Sequence, residues 1–210
     1  MTNLTKPILE RVYTATSDSE RQSAYDEWAT DYDGDLNAFG YTVPSVGVGV
    51  ISRFVDPDEG PVLDAGCGTG LIGTYLHYLG YGPITGIDLS SGMIDVARSK
   101  NAYENLIQMR LGDRLDFPDG TFAAAVSFGT FTPGHAGAEA FAELCRVTKT
   151  GGRLIFSLRL DGGNGQDYLD ALDELSALGV VERRHVSNHF PALPIAEPEV
   201  IDRIFVYNVR

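Results

Sequence analysis

From about residue 60 the chain alternates short runs rich in apolar and β-branched residues with stretches in which apolar positions recur every three or four residues. A period of two, or a short continuous apolar run, marks a strand and a period near 3.6 marks a helix, so the alternation predicts a parallel sheet covered on both faces. PVLDAG (61–66) predicts the first strand and 69–79 its helix. PITGIDLS (83–90) predicts the second, followed by a helix over 91–100 that Ser90 or Ser91 is suited to cap. LIQMRLGD (106–113) is the third, and FAAAVSFGTF (122–131), small and apolar throughout, suits a central strand buried on both sides. A helix over 136–147, a KTGG turn and the strand RLIFSLRL (153–160) follow. After a helix over 167–178 closed by Gly179, the β-rich VVERRHVSNHF (180–190) and the alternating EVIDRIFVYNVR (199–210) predict an antiparallel hairpin at the sheet edge.

Ahead of the sheet lie two helical stretches, 19–31 and 44–55, with no strand between them. With no repeat, low-complexity tract or linker, residues 1–55 read as a helical cap on a core of 56–210, and 1–210 as a single α/β domain, a usual size for one. Composition narrows the partners. No apolar run is long enough to span a bilayer and the N-terminus lacks a basic segment followed by an apolar one, so the expected location is cytoplasmic and no membrane partner is expected. Two cysteines, Cys67 and Cys145, are too few for a disulfide framework. The formal charge of −13 repels phosphate backbones and no basic patch interrupts it, so a small molecule is expected as partner rather than a nucleic acid. Oligomeric state stays open.

The chemistry concentrates at strand ends. Gly66-Cys67-Gly68-Thr69-Gly70 falls between a predicted strand and helix, where missing side chains let a ligand approach backbone amides and a helix N-terminus. Residues 68–73 also match GxGxxG, the dinucleotide fingerprint. Asp64 weighs against a pyrophosphate, because a carboxylate beside a phosphate in a partly desolvated cleft is unfavourable, whereas beside an α-ammonium it is not. S-adenosylmethionine carries a sulfonium, an ammonium and a carboxylate and no phosphate, so it suits this loop better than NAD. Asp88 ends the second strand, where two acceptor oxygens can bind both hydroxyls of a ribose; its competing reading is a cap for the next helix. Gly112-Asp113 ends the third, within reach of an exocyclic amine of adenine. Three acids on one rim around the glycine loop are a more specific signal than any one of them.

VLDAGCGTG, GIDLSSGMIDVAR, the Gly112-Asp113 pair and LCRVTKTGGRLIFSLR together resemble the class I S-adenosylmethionine-dependent methyltransferase family over about residues 60–160. AYDEWATDYD (24–33) and GTFTPGH (129–135) are further similar to the Williams-Beuren-region methyltransferase-like proteins. The resemblance implies a Rossmann-like three-layer α/β/α sandwich whose seven-stranded, mostly parallel sheet has the order 3-2-1-4-5-7-6, the last strand antiparallel. It also implies that Asp64, Gly66 and Gly68 lie near the methionine moiety, Asp88 and Leu89 at the ribose, and Gly112, Asp113 and Arg114 at the adenine, with Met93 packed on its face. Tyr25 and Tyr32 would close over the cofactor, and S-adenosylhomocysteine would be the product.

Tyr25, Trp28 and Tyr32 also form one stripe of the first predicted helix, which by itself requires only packing. On the acceptor side, Phe128, Thr130 and Phe131 end the fourth strand, where an acceptor would meet the methyl group, Phe128 also bordering the cofactor. His135 in the following loop is the candidate base for a hydroxyl, thiol or protonated amine. His185 and His189 lie four apart in a β-rich run, where that spacing does not converge on an ion, so no metal is assigned. Two rival functions remain at this level, an NAD-dependent oxidoreductase and a non-catalytic S-adenosylmethionine-binding protein.

Overall fold

A computed structural model describes residues 7–132, 135–160 and 165–210. The sheet runs in the order β3-β2-β1-β4-β5-β8-β6, with a short β7 also paired to β8. Its strands are β1 (Val62–Ala65), β2 (Ile84–Asp88), β3 (Asn105–Gln108), β4 (Phe122–Phe131), β5 (Thr148–Arg159), β6 (Val181–Val186), β7 (Phe190–Leu193) and β8 (Glu197–Val209). β1 to β5 pair in parallel, whereas β8 runs antiparallel to β5, β6 and β7. The expected order is present, with β8 in the place of the seventh strand and one short strand added. That addition comes from the run 180–190, expected as a single strand: it ends at Val186, and β7 begins only at Phe190.

Eight α-helices accompany the sheet among the described residues: α1 (Pro7–Thr14), α2 (Asp18–Trp28), α3 (Tyr32–Phe39), α4 (Val43–Phe54), α5 (Leu71–Tyr78), α6 (Ser91–Ser99), α7 (Ala140–Val147) and α8 (Gly165–Ala177). Two apolar clusters fill the sandwich. One joins α1 to α5 with Val62, Val126, Ile155 and Ile204 on one face of the sheet; the other joins α7 and α8 with Leu63, Ala125, Phe156 and Tyr207 on the opposite face. Strand alternation divides neighbours such as Val62 and Leu63 between them.

The N-terminal segment differs from its predicted form. The helix expected over 19–31 stops at Trp28, and α3 starts at Tyr32. No glycine or proline marks the break. The Trp28 indole donates 2.8 Å to the buried Asp35 carboxylate across the turn, a bond that a continuous helix would not make. α4 packs on the sheet beside α5, while α1 to α3 lie over the carboxyl ends of the strands. α1 carries no periodic signal long enough to have been read from the sequence.

Strand β3 ends earlier than expected. It is an edge strand whose partner β2 finishes at Asp88, opposite Gln108, so the ladder has nothing further to pair with. Residues 109–113 therefore form a loop.

Candidate active site

The strand order reverses between β1 and β4, which places a crevice at the carboxyl ends of these strands, the usual ligand position in an open α/β sheet. A cleft of about 760 Å³, open to solvent, occupies it. Gly66 and Gly68 form its floor, Asp88, Leu89 and Met93 one side, Phe128 and Thr130 the other, and Tyr25, Tyr32 and His135 the roof. Ten of the residues expected at a site thus meet in one place.

The glycine loop is shaped by backbone demands. Gly66 and Gly68 have φ of +75° and +54°, a region that side chains disfavour, and a Cβ on Gly66 would run into Thr130. Gly66 and Cys67 donate their amides to the Ile87 carbonyl, tying the loop to the end of β2. Asp88 completes the tie: its Oδ2 accepts from the Gly68 amide at 2.8 Å and its Oδ1 from the Ser90 amide at 2.9 Å. Asp88 lines the cleft, and a carboxylate has about four lone-pair sites in all, so it keeps acceptor capacity beside these bonds. The helix cap, the competing role for Asp88, belongs to Ser90, whose Oγ accepts from the Met93 amide. Burial raises the Asp88 pKa, opposed by the amides of Ser90, Gly68 and Leu89.

Asp64 sits behind the loop, 1% exposed, where the Tyr103 hydroxyl donates to it at 2.6 Å. It lines a smaller adjoining cavity that shares Tyr32, Gly66, Gly68 and Phe128 with the main cleft. Burial pushes its carboxyl up to about 7, partly offset by the Tyr103 hydrogen bond and reinforced by the nearby Asp88 charge.

Four expected residues fall elsewhere. Asp113 is 65% exposed and pairs with Arg110 at 3.2 Å, because β3 has already ended; Gly112 and Arg114 leave with it. Met109, Arg110 and Leu111 line that side instead. Phe131 is fully buried against Phe141, Phe156 and Tyr168 on the other face of the sheet. A register shift between Ser127 and Phe131, with Gly129 at φ +71°, breaks the alternation there and turns the ring inward. Pro133 and Gly134, part of the expected acceptor loop, lie outside the described residues.

The helical roof is held by acids that sequence reading passed over. Asp26 on α2 accepts from Ser90 Oγ at 2.6 Å and the Gly92 amide at 2.8 Å, at the start of α6. Asp33 accepts from Thr69 Oγ1 and Lys100 Nζ, each at 2.5 Å, pinning α3 to the glycine loop. Asp18 bridges Arg21 and Arg110 at 2.6 Å each across the cleft mouth. Asp26 and Asp33 lie within AYDEWATDYD and Asp18 six residues before it, which is the one signal that hinted at these roles.

Tyr25, Trp28 and Tyr32 keep their cluster despite the helix break, with ring centroids 4.7–6.3 Å apart. His135 Nε2 lies 2.8 Å from the Tyr25 hydroxyl and Nδ1 2.8 Å from Thr132 Oγ1. Burial, first of all, holds the Tyr25 and Tyr32 phenols well above their ordinary pKa and therefore protonated. Cys67 is likewise pushed up by burial, and both cysteines are free and buried. The His185 ring lies against Phe54, tilted by 31° with centroids 5.2 Å apart, and no cluster of three or more potential metal ligands occurs among the described residues. No helix among them is long and apolar enough to cross a membrane.

Residues 63–156 match the family model described as a methyltransferase domain. Human methyltransferase-like protein 27 is 35% identical over 164 residues, covering 75% of this chain and 66% of that protein. The malonyl-[acyl-carrier protein] O-methyltransferase of Serratia marcescens is 34% identical over 136 residues, covering 64% of this chain and 49% of its own length. The chain thus spans about half to two thirds of these relatives. Among solved structures, a TehB-like SAM-dependent methyltransferase from Corynebacterium glutamicum superposes with a TM-score of 0.64 at 24% identity, over 90% of this chain and all of the other. The [4+2]-cyclase SpnF shares the fold at a TM-score of 0.72 and 16% identity, over 93% and 97% of the two chains.

Proposed function

The chain belongs to the class I S-adenosylmethionine-dependent methyltransferases, and from that premise we propose that it methylates a small-molecule acceptor by in-line displacement. The observation that carries the reading is the cleft at the sheet reversal, where a half-buried acid with acceptor capacity to spare, an open glycine loop and two tyrosines converge. The residues fit the donor: Gly68 has nothing within 4 Å of the position a Cβ would take, so a ligand can lie directly on the loop beside Asp88 and Met93. When bound, S-adenosylmethionine supplies a methyl group on a sulfonium, already attached to its leaving group.

The protein's task is then to orient two molecules and exclude water. Asp88, with Leu89 beside it, holds the ribose hydroxyls. The amino-acid end lies against the open, side-chain-free face of the glycine loop, and Asp64 meets the ammonium from behind the loop. Met93 packs on the adenine, with Met109 and Leu111 completing the slot that Gly112, Asp113 and Arg114 were expected to form. Tyr25 and Tyr32 close the roof, Phe128 and Thr130 border the transferred methyl, and His135 is positioned to receive a proton from the acceptor. AYDEWATDYD and GTFTPGH support a finer placement among the Williams-Beuren-region methyltransferase-like proteins.

Thermal unfolding separates this reading from the oxidoreductase one. S-adenosylhomocysteine at a hundred times its Kd should stabilise the fold by about 2.7 kcal/mol, which is roughly 5–10 °C in Tm for a domain of this size. NAD should leave Tm unchanged. The reverse pattern would refute the proposal.

A further inference from the structure

Beside the donor cleft, under α1 to α3 and against the β7–β8 hairpin, lies a second cavity, partly open to solvent, with about 560 Å³ of empty space. Tyr25, Tyr32, Gly129 and His135 line both spaces and form the partition between them. Gly129 is what keeps the partition thin: a Cβ there would lie 2.5 Å from the Tyr41 hydroxyl. The far walls are apolar, with Leu9 and Val12 from α1, Ala192 and Leu193 from β7, and Val200 from β8.

Two charged side chains reach this cavity, Arg159 and Asp202, register partners across β5 and β8, so the lining carries no net formal charge. The Arg159 guanidinium also lies over the Tyr13 ring, 5.3 Å from its centroid. A charged guest here would be desolvated without an unmatched counter-charge, which is costly, whereas an uncharged ring system would bury its surface against the apolar walls.

At the partition, the Tyr25 hydroxyl and the His135 imidazole are already hydrogen-bonded. With Nδ1–H donating to Thr132 Oγ1, Nε2 accepts from Tyr25, whose oxygen is then open to a hydrogen bond from a hydroxyl in the second cavity.

Resting on the donor reading above, we propose that this cavity is the acceptor chamber, that it takes a neutral, mainly apolar ring compound bearing a phenol or enol hydroxyl, and that Tyr25 relays the hydroxyl proton to His135. The acceptor oxygen forms its bond to the methyl carbon as that carbon's bond to sulfur breaks, and the sulfur keeps the electron pair as a neutral thioether. The hydroxyl proton passes to the Tyr25 oxygen while the Tyr25 proton passes to Nε2. An imidazolium replaces the lost sulfonium charge.

Calorimetry with S-adenosylhomocysteine tests the donor reading by itself; no binding overturns both. Acceptors are then offered with labelled S-adenosylmethionine in matched sets, each ring skeleton as phenol or enol, as carboxylate and as ammonium. The expected result is label on the neutral hydroxyl compounds. Val200→Trp and Val12→Trp, which fill the chamber from opposite walls, should lower their kcat/KM at least about tenfold with S-adenosylhomocysteine affinity kept within about twofold; one such variant that keeps donor binding suffices. Tyr25→Phe should lower kcat by about a hundredfold with KM within a few-fold, the size of a lost proton-transfer group. Donor binding together with label confined to charged acceptors, no label on any acceptor, or full turnover in the filled variants overturns the chamber. A Tyr25→Phe effect confined to KM overturns the relay.

Discussion

Asp64 and Asp88 show how the same residue type at two strand ends is set to different tasks. Asp88 is held by backbone amides, Gly68 and Ser90 among them, whereas Asp64 has the Tyr103 hydroxyl and a burial that pushes it up to about 7. Below that pH the Asp64 carboxyl is neutral; above it, a carboxylate attracts the cationic donor. Affinity for S-adenosylmethionine should therefore rise with pH from about 5.5 to about 8, by up to about tenfold per unit on the acid side, because binding is linked to loss of that proton. Asp64→Asn should flatten this dependence in a calorimetric pH series, and a wild-type affinity constant over the range would contradict a role at the ammonium. Both acids were legible in the sequence because a strand end followed by glycine or by a helix cap fixes where a side chain points. Asp113 was misread for a reason of the same scale: its position depends on how far the edge strand pairs, and that is decided by β2, not by residues 106–113.

The roof helix α2 is joined to α6 through a helix start. Asp26 places a carboxylate at the N-terminus of α6, where free amides and the helix dipole favour an anion. Gly92 makes the approach possible, since a Cβ there would come within 2.9 Å of the Asp26 backbone. Asp26→Ala should cost about 1.5–3 kcal/mol, the worth of hydrogen bonds to a charged group, and so lower Tm by roughly 3–12 °C. It should also make the segment before α3 more sensitive to limited proteolysis, and it should weaken S-adenosylhomocysteine binding, because α2 carries Tyr25. Unchanged Tm and unchanged donor affinity would show that the α2–α6 contact does not hold the roof. The aromatic stripe was readable from its spacing, whereas the helix break beneath it was not. The Trp28–Asp35 bond that stabilises the break links residues on two helices.

At the scale of the whole molecule, the C-terminal strand is the closing piece of the sheet. β8 lies between β5 and β6 and contributes Ile204, Phe205, Val206 and Tyr207 to cores on both faces. A chain lacking residues 197–210 should lose cooperative urea unfolding and near-ultraviolet dichroism, since it would leave β5 and β6 with unpaired edges and two opened cores. Retention of a single cooperative transition would count against this assignment of β8. The shared fold with SpnF, at a TM-score of 0.72, shows why function is argued from the site: one architecture hosts different chemistries. What the chain alone determined was the alternation of elements, the glycine loop and the two acids at the strand ends beside it, because periodicity and backbone conformation are local properties. Which residues faced each other across the crevice was decided only by tertiary structure. The bulge that turns Phe131 inward, the early end of β3 and the chamber between α1 and the β7–β8 hairpin each depend on partners distant in sequence, and packing between such partners leaves no periodic trace along the chain.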